Sequence, residues 1–254
     1  MYKILANTIF LGKHVVFLPE CHSTNDKALE LIRSGHASQG SIVVCANQTH
    51  GKGQRGNVWE SEPDQNLTFS LILKPDFLDI SEQFYLNMVV SNAIRNLLQE
   101  YLPDLKVKWP NDLVVPGKGK IGGILIENIL SSRNWEMAVI GIGLNINQRR
   151  FSNPKATSLA AITGGHFDLQ ELFRLLIVHI EQGYIALKKG KTSEIIRDYL
   201  HHLFLKDQWT WYRDSAVEFE GKISGVSREG KLQVDLRDGG VRTFDLKEIS
   251  FPET

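Results

Sequence analysis

Gln48-Thr49-His50-Gly51-Lys52-Gly53-Gln54-Arg55-Gly56-Asn57-Val58-Trp59 is the first of two stretches on which the reading of this chain turns. The second is Lys108-Trp109-Pro110-Asn111-Asp112, with Gly119-Lys120-Ile121-Gly122-Gly123 close behind. Gly51, Gly53 and Gly56 free the first backbone for conformations that let amides close on a ligand. Lys52 and Arg55 add two cations there, and Lys120 adds a third in what reads as a glycine-rich turn. Two glycine-and-cation segments suggest chemistry on phosphate and carboxylate groups.

Gly51-x-Gly53-x-x-Gly56 formally matches the dinucleotide fingerprint, and Val58 completes the protein-kinase pattern. Neither survives its context. A dinucleotide fold needs a helix opening at the last glycine, and Asn57-Val58-Trp59-Glu60-Ser61-Glu62-Pro63 has no helical pattern. The kinase tripeptides His-Arg-Asp and Asp-Phe-Gly do not occur. Read alone, the loop is otherwise a flexible hairpin without a ligand.

Working outward, residues 15–18 read as a strand. Ser23-Thr24-Asn25-Asp26 can cap a helix carrying Ala28, Leu29 and Ile32, with Gly35 as its stop. Strands are expected at 41–46 and 66–74, and a helix over 81–101. Residues 106–115 and 122–129 read as two strands joined through Pro116-Gly117, and 135–147 as another. Asp168 with Glu171 opens a long helix reaching Leu187, and a short one covers 192–203. After Lys206 come five alternating runs: 208–212, 216–220, 222–226, 231–236 and 241–246. They suit a small barrel, which divides the chain into units 1–206 and 207–254.

A length of 254 residues fits one large unit plus a small one. With 29 basic and 29 acidic side chains, no global field draws in nucleic acid or anionic membrane. Residues 1–7 hold too short an apolar run for a signal peptide, and no stretch approaches the roughly 20 apolar residues of a bilayer span. Cys21 and Cys45 make no disulfide framework, which points to a reducing cytoplasm. No histidine has metal-ligand spacing with them, and metal ligands stay unknown.

Together with Ser23-Thr24-Asn25 and Gly141-Ile142-Gly143-Leu144-Asn145-Ile146-Asn147, the two stretches resemble the biotin–protein ligase family, motif by motif and in the family's order from about residue 20 to 150. Asn111-Asp112-Leu113 and Lys120-Ile121 with Gly123 also resemble lipoate–protein ligases, which share the fold. The Lys-Trp-Pro prefix and the loop ending in Trp59 favour the biotin branch. The resemblance implies an α+β fold: a mixed β-sheet catalytic domain with helices, of the class II synthetase-like biotin–lipoate ligase kind, plus a small SH3-like β-barrel at the C-terminus. Family members that double as repressors carry a winged helix-turn-helix before Ser-Thr-Asn. Only 22 residues precede Ser23, so a ligase-only form is expected, with no DNA partner.

The activity so implied is ATP-dependent attachment of biotin to a lysine of a biotin carboxyl carrier protein, through biotinoyl-AMP, with ATP, biotin and Mg2+ as the small molecules. Both steps gather negative charge, so they depend on positioning and on donors aimed at it, not on a covalent nucleophile. By resemblance, Ser23, Thr24, Asn25 and Gln48 bind the biotin head group, with Lys52, Gly53, Gln54 and Lys120. Lys120, Arg55 and Asp112 are the catalytic candidates, and Lys120 bridges the biotin carboxylate and the α-phosphate. Arg55, Gly56, Trp59, Lys108, Asn111 and Asn145 are assigned to ATP. Asn111 and Asp112 fit the nucleotide, a magnesium ion or the incoming amine equally. Taken singly, Ser23-Thr24-Asn25 is a helix cap, Lys120 a solvated turn lysine and Trp59 a core tryptophan. Gln54 departs from the arginine that many family members carry, leaving one cation fewer on the adenylate. A lipoate–protein ligase or octanoyl transferase, and a non-enzymatic binding module, stay open as alternatives. Monomer and homodimer fit equally.

Overall fold

A mixed sheet covered by helices on both faces builds the larger part of the molecule, and its strand β3 is buried at every position. The computed structural model describes residues 7–131, 135–215 and 217–252. Seven strands, β1 (Val15–Cys21), β2 (Ile42–Gln48), β3 (Leu67–Leu73), β4 (Lys106–Lys108), β5 (Asp112–Val115), β6 (Gly119–Leu130) and β7 (Trp135–Leu144), form one sheet in the order β1-β2-β3-β7-β6-β5-β4. The β1–β2 pair is parallel and the others antiparallel, so the sheet is mixed. The helices are α1 (Thr24–Arg33), α2 (Phe84–Leu98), α3 (Leu159–Thr163), α4 (Leu169–Lys188) and α5 (Thr192–His201).

Helices α2 and α4 bury one face of the sheet, where Val44, Phe69, Leu71, Ile140 and Ile142 meet Val90, Ile94, Phe173 and Ile177. Helix α1 packs on the other face, setting Ala28 against Val43, Ile72 and Val139. Antiparallel partners share a face. The register therefore lines up Lys108, Asp112, Gly123, Gly143 and Thr68 in one row on the α1 side. Leu125, Gly141 and Ser70 form the next row. Beyond the end of α1, that face is mostly glycine, serine and threonine.

The C-terminal strands β8 (Trp209–Asp214), β9 (Glu218–Val226), β10 (Leu232–Leu236), β11 (Val241–Phe244) and β12 (Ile249–Ser250) form a second, antiparallel sheet in the order β11-β10-β9-β8-β12, consistent with an SH3-like unit. Trp109 Nε1 donates to the Gly230 carbonyl at 2.9 Å and Arg228 pairs with Glu82 at 3.0 Å, joining the two sheets.

Several expectations need correction. Residues 106–115 are not one strand: the chain reverses at Trp109-Pro110-Asn111, where the Trp109–Pro110 peptide is cis, and β4 pairs back on β5. Lys120 is not in a turn, because β6 already begins at Gly119. The helix over 81–101 starts later, at Phe84, behind a 3-10 turn that Asp79 caps. Runs 216–220 and 222–226 are a single strand, β9, although Ala216 itself lies outside the described residues. Gly221 does not break it; a Cβ there would stand 2.5 Å from Val234. The fifth strand is β12 instead.

The described chain enters through a clamp. The buried carboxylate of Glu181 on α4 accepts the backbone N–H groups of Ile9, Phe10 and Leu11 at 2.6, 2.7 and 2.8 Å. Glu181→Leu leaves those donors without a partner, and is expected to cost about 2–3 kcal/mol in urea unfolding. A cost under about 0.5 kcal/mol contradicts the clamp.

Candidate functional site

An irregularity in β6 makes the site. Val114 pairs with Lys120 but Leu113 pairs with Gly122, so Ile121 is an extra, fully buried residue in a β-bulge. Without it, Lys120 and Gly123 would lie on opposite faces; the bulge re-aims Lys120 onto the α1 side. Its Nζ reaches Oδ1 of Asp112 at 2.6 Å and stands 5.7 Å above the Trp59 ring. A Cβ at Gly123 would already sit 3.4 Å from the Lys120 ammonium. The loop after β7 braces the bulge: Lys120 N–H donates to Lys155 O at 2.8 Å, and Thr157 N–H to Lys120 O at 2.9 Å. Gly119, at φ +118°, has Lys155 O 2.6 Å from where a Cβ would be.

Beside this pair lies a polar nest. Ser23, Thr24 and Asn25 at the start of α1 are all buried. Thr24 N–H donates to Gln48 Oε1 at 2.8 Å. The Ser70 hydroxyl is 2.6 Å from Asn25 Oδ1 and 2.7 Å from the Thr24 hydroxyl. Asn25 Nδ2 donates to Glu127 at 2.7 Å. Ser23 stands at the N-cap position but its hydroxyl makes no capping bond, so the helix-cap reading fails for that residue.

The glycine loop is a hairpin. Trp59 N–H donates to Gly51 O at 2.8 Å and Gly53 N–H to Asn57 O at 2.7 Å, while Gln54–Gly56 form a 3-10 turn. Lys52 pairs with Asp26 of α1. The Trp59 indole lies where a Gly143 side chain would be, and its buried Nε1 has no hydrogen-bond partner.

These parts enclose a cleft of about 290 Å³. Ser23, Thr24, Asn25, Gln48, Lys52, Gly53, Gln54, Trp59, Asn111, Asp112 and Lys120 all line it. The Asn111 amide is tied to Ile124 O at 2.5 Å. Gly56, Lys108 and Asn145 are not in the lining. Asn145 Nδ2 donates to Thr157 O at 3.0 Å, within the brace behind Lys120. The Lys108 ammonium is 5.1 Å from the Phe251 ring centre; burial pushes its pKa down, Asp112 opposes that, and Lys155 and Lys120 add to it. The Arg55 side chain lies outside the described residues.

Sequence reasoning missed Ser70 and Glu127, which only strand register brings under α1. It also missed Leu246, Lys247, Ile249 and Phe251, by which the C-terminal sheet walls the cleft. No motif marks any of them.

Residues 18–145 match the model of the biotin/lipoate A/B protein ligase family. The bifunctional ligase/repressor BirA of Bacillus subtilis is 29% identical over 250 residues, covering 91% of this chain and 72% of that protein. The Salmonella typhimurium protein of the same name is 32% identical over 247 residues, covering 93% and 74%. Among solved structures, a biotin protein ligase from Aquifex aeolicus in complex with biotin and ATP aligns with a TM-score of 0.77 at 25% identity, over 94% of this chain and 98% of that one.

The bare sheet makes a graded prediction. A Cβ at Gly141 would stand 2.5 Å from Asn25 Oδ1, so Gly141→Ala should cost about 1–3 kcal/mol by overpacking. Gly123→Ala meets only ordinary contacts, the nearest at 3.4 Å, and should cost less than Gly141→Ala in urea unfolding. The reverse order contradicts the described floor.

Proposed function

The chain belongs to the biotin/lipoate A/B protein ligase family, and we propose that it uses ATP to attach biotin to a lysine of a biotin carboxyl carrier protein through biotinoyl-AMP. One observation carries the reading: the Lys120–Asp112 pair stands over bare Gly123, beside a nest of buried Ser23, Thr24 and Asn25 with half-buried Gln48.

The nest supplies hydroxyls and amides, the donor and acceptor types that match a ureido ring's carbonyl and two N–H groups. Biotin's carboxylate then extends towards Lys120. There Asp112 already occupies the place of an anionic partner, and the substrate carboxylate replaces it. The carboxylate oxygen attacks the α-phosphorus, the bond to pyrophosphate breaks, and Lys120 holds charge on both reacting groups at once. In the second step the acceptor amine attacks the acyl carbon and AMP leaves.

The unpartnered Trp59 N–H in the cleft wall is a donor that a bound nucleotide can satisfy. Among the described residues no three His, Cys, Asp or Glu side chains converge, and Asp112 is the acidic residue lining the cleft. Asp112 is the residue that would hold a magnesium ion carried on ATP's phosphates, and the ion would neutralise phosphate charge there. Two free cysteines suit a cytoplasmic setting. No described helix is long and apolar enough to cross a membrane. The division between the two proposed units falls at residues 206–207, just ahead of β8.

The test is ATP–pyrophosphate exchange with biotin, with lipoate run in parallel. Exchange should require biotin. Lys120→Ala should lower adenylate formation by roughly 10²–10³-fold, the scale of one lost electrostatic stabiliser. Lipoate-dependent exchange, or near-full adenylation by the variant, contradicts the reading.

A further inference from the structure

Three lysines line the cleft, and two already have acidic partners: Lys52 has Asp26 and Lys120 has Asp112. The third, Lys247, comes from the C-terminal sheet and forms no ion pair among the described residues. Its backbone is as unusual as its free charge. At φ +71° it occupies the left-handed region, where a Cβ is penalised and glycine fits without strain. Asp64, Leu205 and Asp207 are also left-handed, but aspartate tolerates that region through its short polar side chain and Leu205 packs against the core. The Lys247 side chain is exposed, so packing does not explain its identity. The turn is closed without it: Glu248 N–H donates to Asp245 O at 3.1 Å, and Asp245 N–H to the Glu248 carboxylate at 2.6 Å. A strained backbone that carries a cation into a cleft points to use of the cation.

Strand order shows what that cation would meet. The polar nest spans β2, β3, β7 and β6, Lys120 and Asp112 stand on β6 and β5, and Lys108 on β4, at the sheet's edge. Phe251, four residues after Lys247, faces Lys108. Biotin's one charge is the carboxylate at Lys120, so the charge it meets there is ATP's triphosphate, and the turn bearing Lys247 brings a further cation to the same cleft.

On the ligase reading above, we infer that Lys247 binds the β- and γ-phosphates of ATP and the pyrophosphate they become. When the carboxylate oxygen bonds to the α-phosphorus, the bridging P–O bond breaks and its electron pair stays on pyrophosphate. Lys247 faces that charge. Transfer to the acceptor amine involves no pyrophosphate, so Lys247 acts in the first half-reaction only.

The test compares Lys247→Gly and Lys247→Arg with the unaltered protein. Glycine removes both the cation and the backbone strain, so its thermal midpoint should hold or rise. Its KM for ATP in biotin-dependent pyrophosphate exchange should increase about 10-fold, the scale of one charge-assisted hydrogen bond. Lys247→Arg should keep KM near the starting value, and amide formation from preformed biotinoyl-AMP should not follow the loss in exchange. An unchanged KM in Lys247→Gly overturns the inference, as does an equal loss in both half-reactions. Absence of exchange in the unaltered protein overturns the ligase reading itself, and this inference with it.

Discussion

Everything at the site depends on three sheet positions that carry no side chain. At Gly141 the space belongs to the Asn25 amide, at Gly143 to the Trp59 indole, and at Gly123 to Lys120 and Asp112. The three lie on neighbouring strands and, by register, on one face. A helix start, a loop end and a bulged strand can therefore converge from three directions onto the same few ångströms of backbone. A side chain at Gly141 or Gly143 would force one of those partners away. The opposite face, filled by α2 and α4, keeps the sheet rigid beneath them.

The electrostatics suit a site that must exchange partners. Lys120 and Asp112 are each about one-third exposed, and Lys52 and Asp26 more so. Exposed pairs of this kind contribute about 0–1 kcal/mol. Each pair offsets the repulsion between neighbouring cations while the cleft holds no anion, and is weak enough for a carboxylate or phosphate to displace. A fully buried pair would resist such displacement, because breaking it strands a desolvated charge. Partial exposure is thus part of how the site works.

Much of this was legible in the sequence, for a physical reason. Gly-Lys-Gly, Lys-Trp-Pro-Asn-Asp and Gly-Lys-Ile-Gly-Gly encode backbone freedom, charge and turn chemistry locally, and these segments bring most of the expected residues to the cleft. What escaped was non-local or depended on register. The bulge at Ile121 has no local signature, and the glycines at 119, 122 and 123 read as a turn around Lys120. The reversal at 109–111 looked like continuous alternation, because β4 and β5 alternate in phase on either side of it. Ser70 and Glu127 are ordinary strand residues until α1 is laid over them. Lys108 and Asn145 carry the right chemistry in the right motifs, yet the first stands against Phe251 and the second braces the loop behind Lys120.

The central claim is that Lys120 trades Asp112 for a ligand anion. A crystal structure with biotin and a non-hydrolysable ATP analogue measures this directly. The account predicts Lys120 Nζ within about 3 Å of the biotin carboxylate or the α-phosphate, with Asp112 no longer its partner. A ligand bound in the cleft while Lys120 keeps its 2.6 Å contact to Asp112 would contradict it.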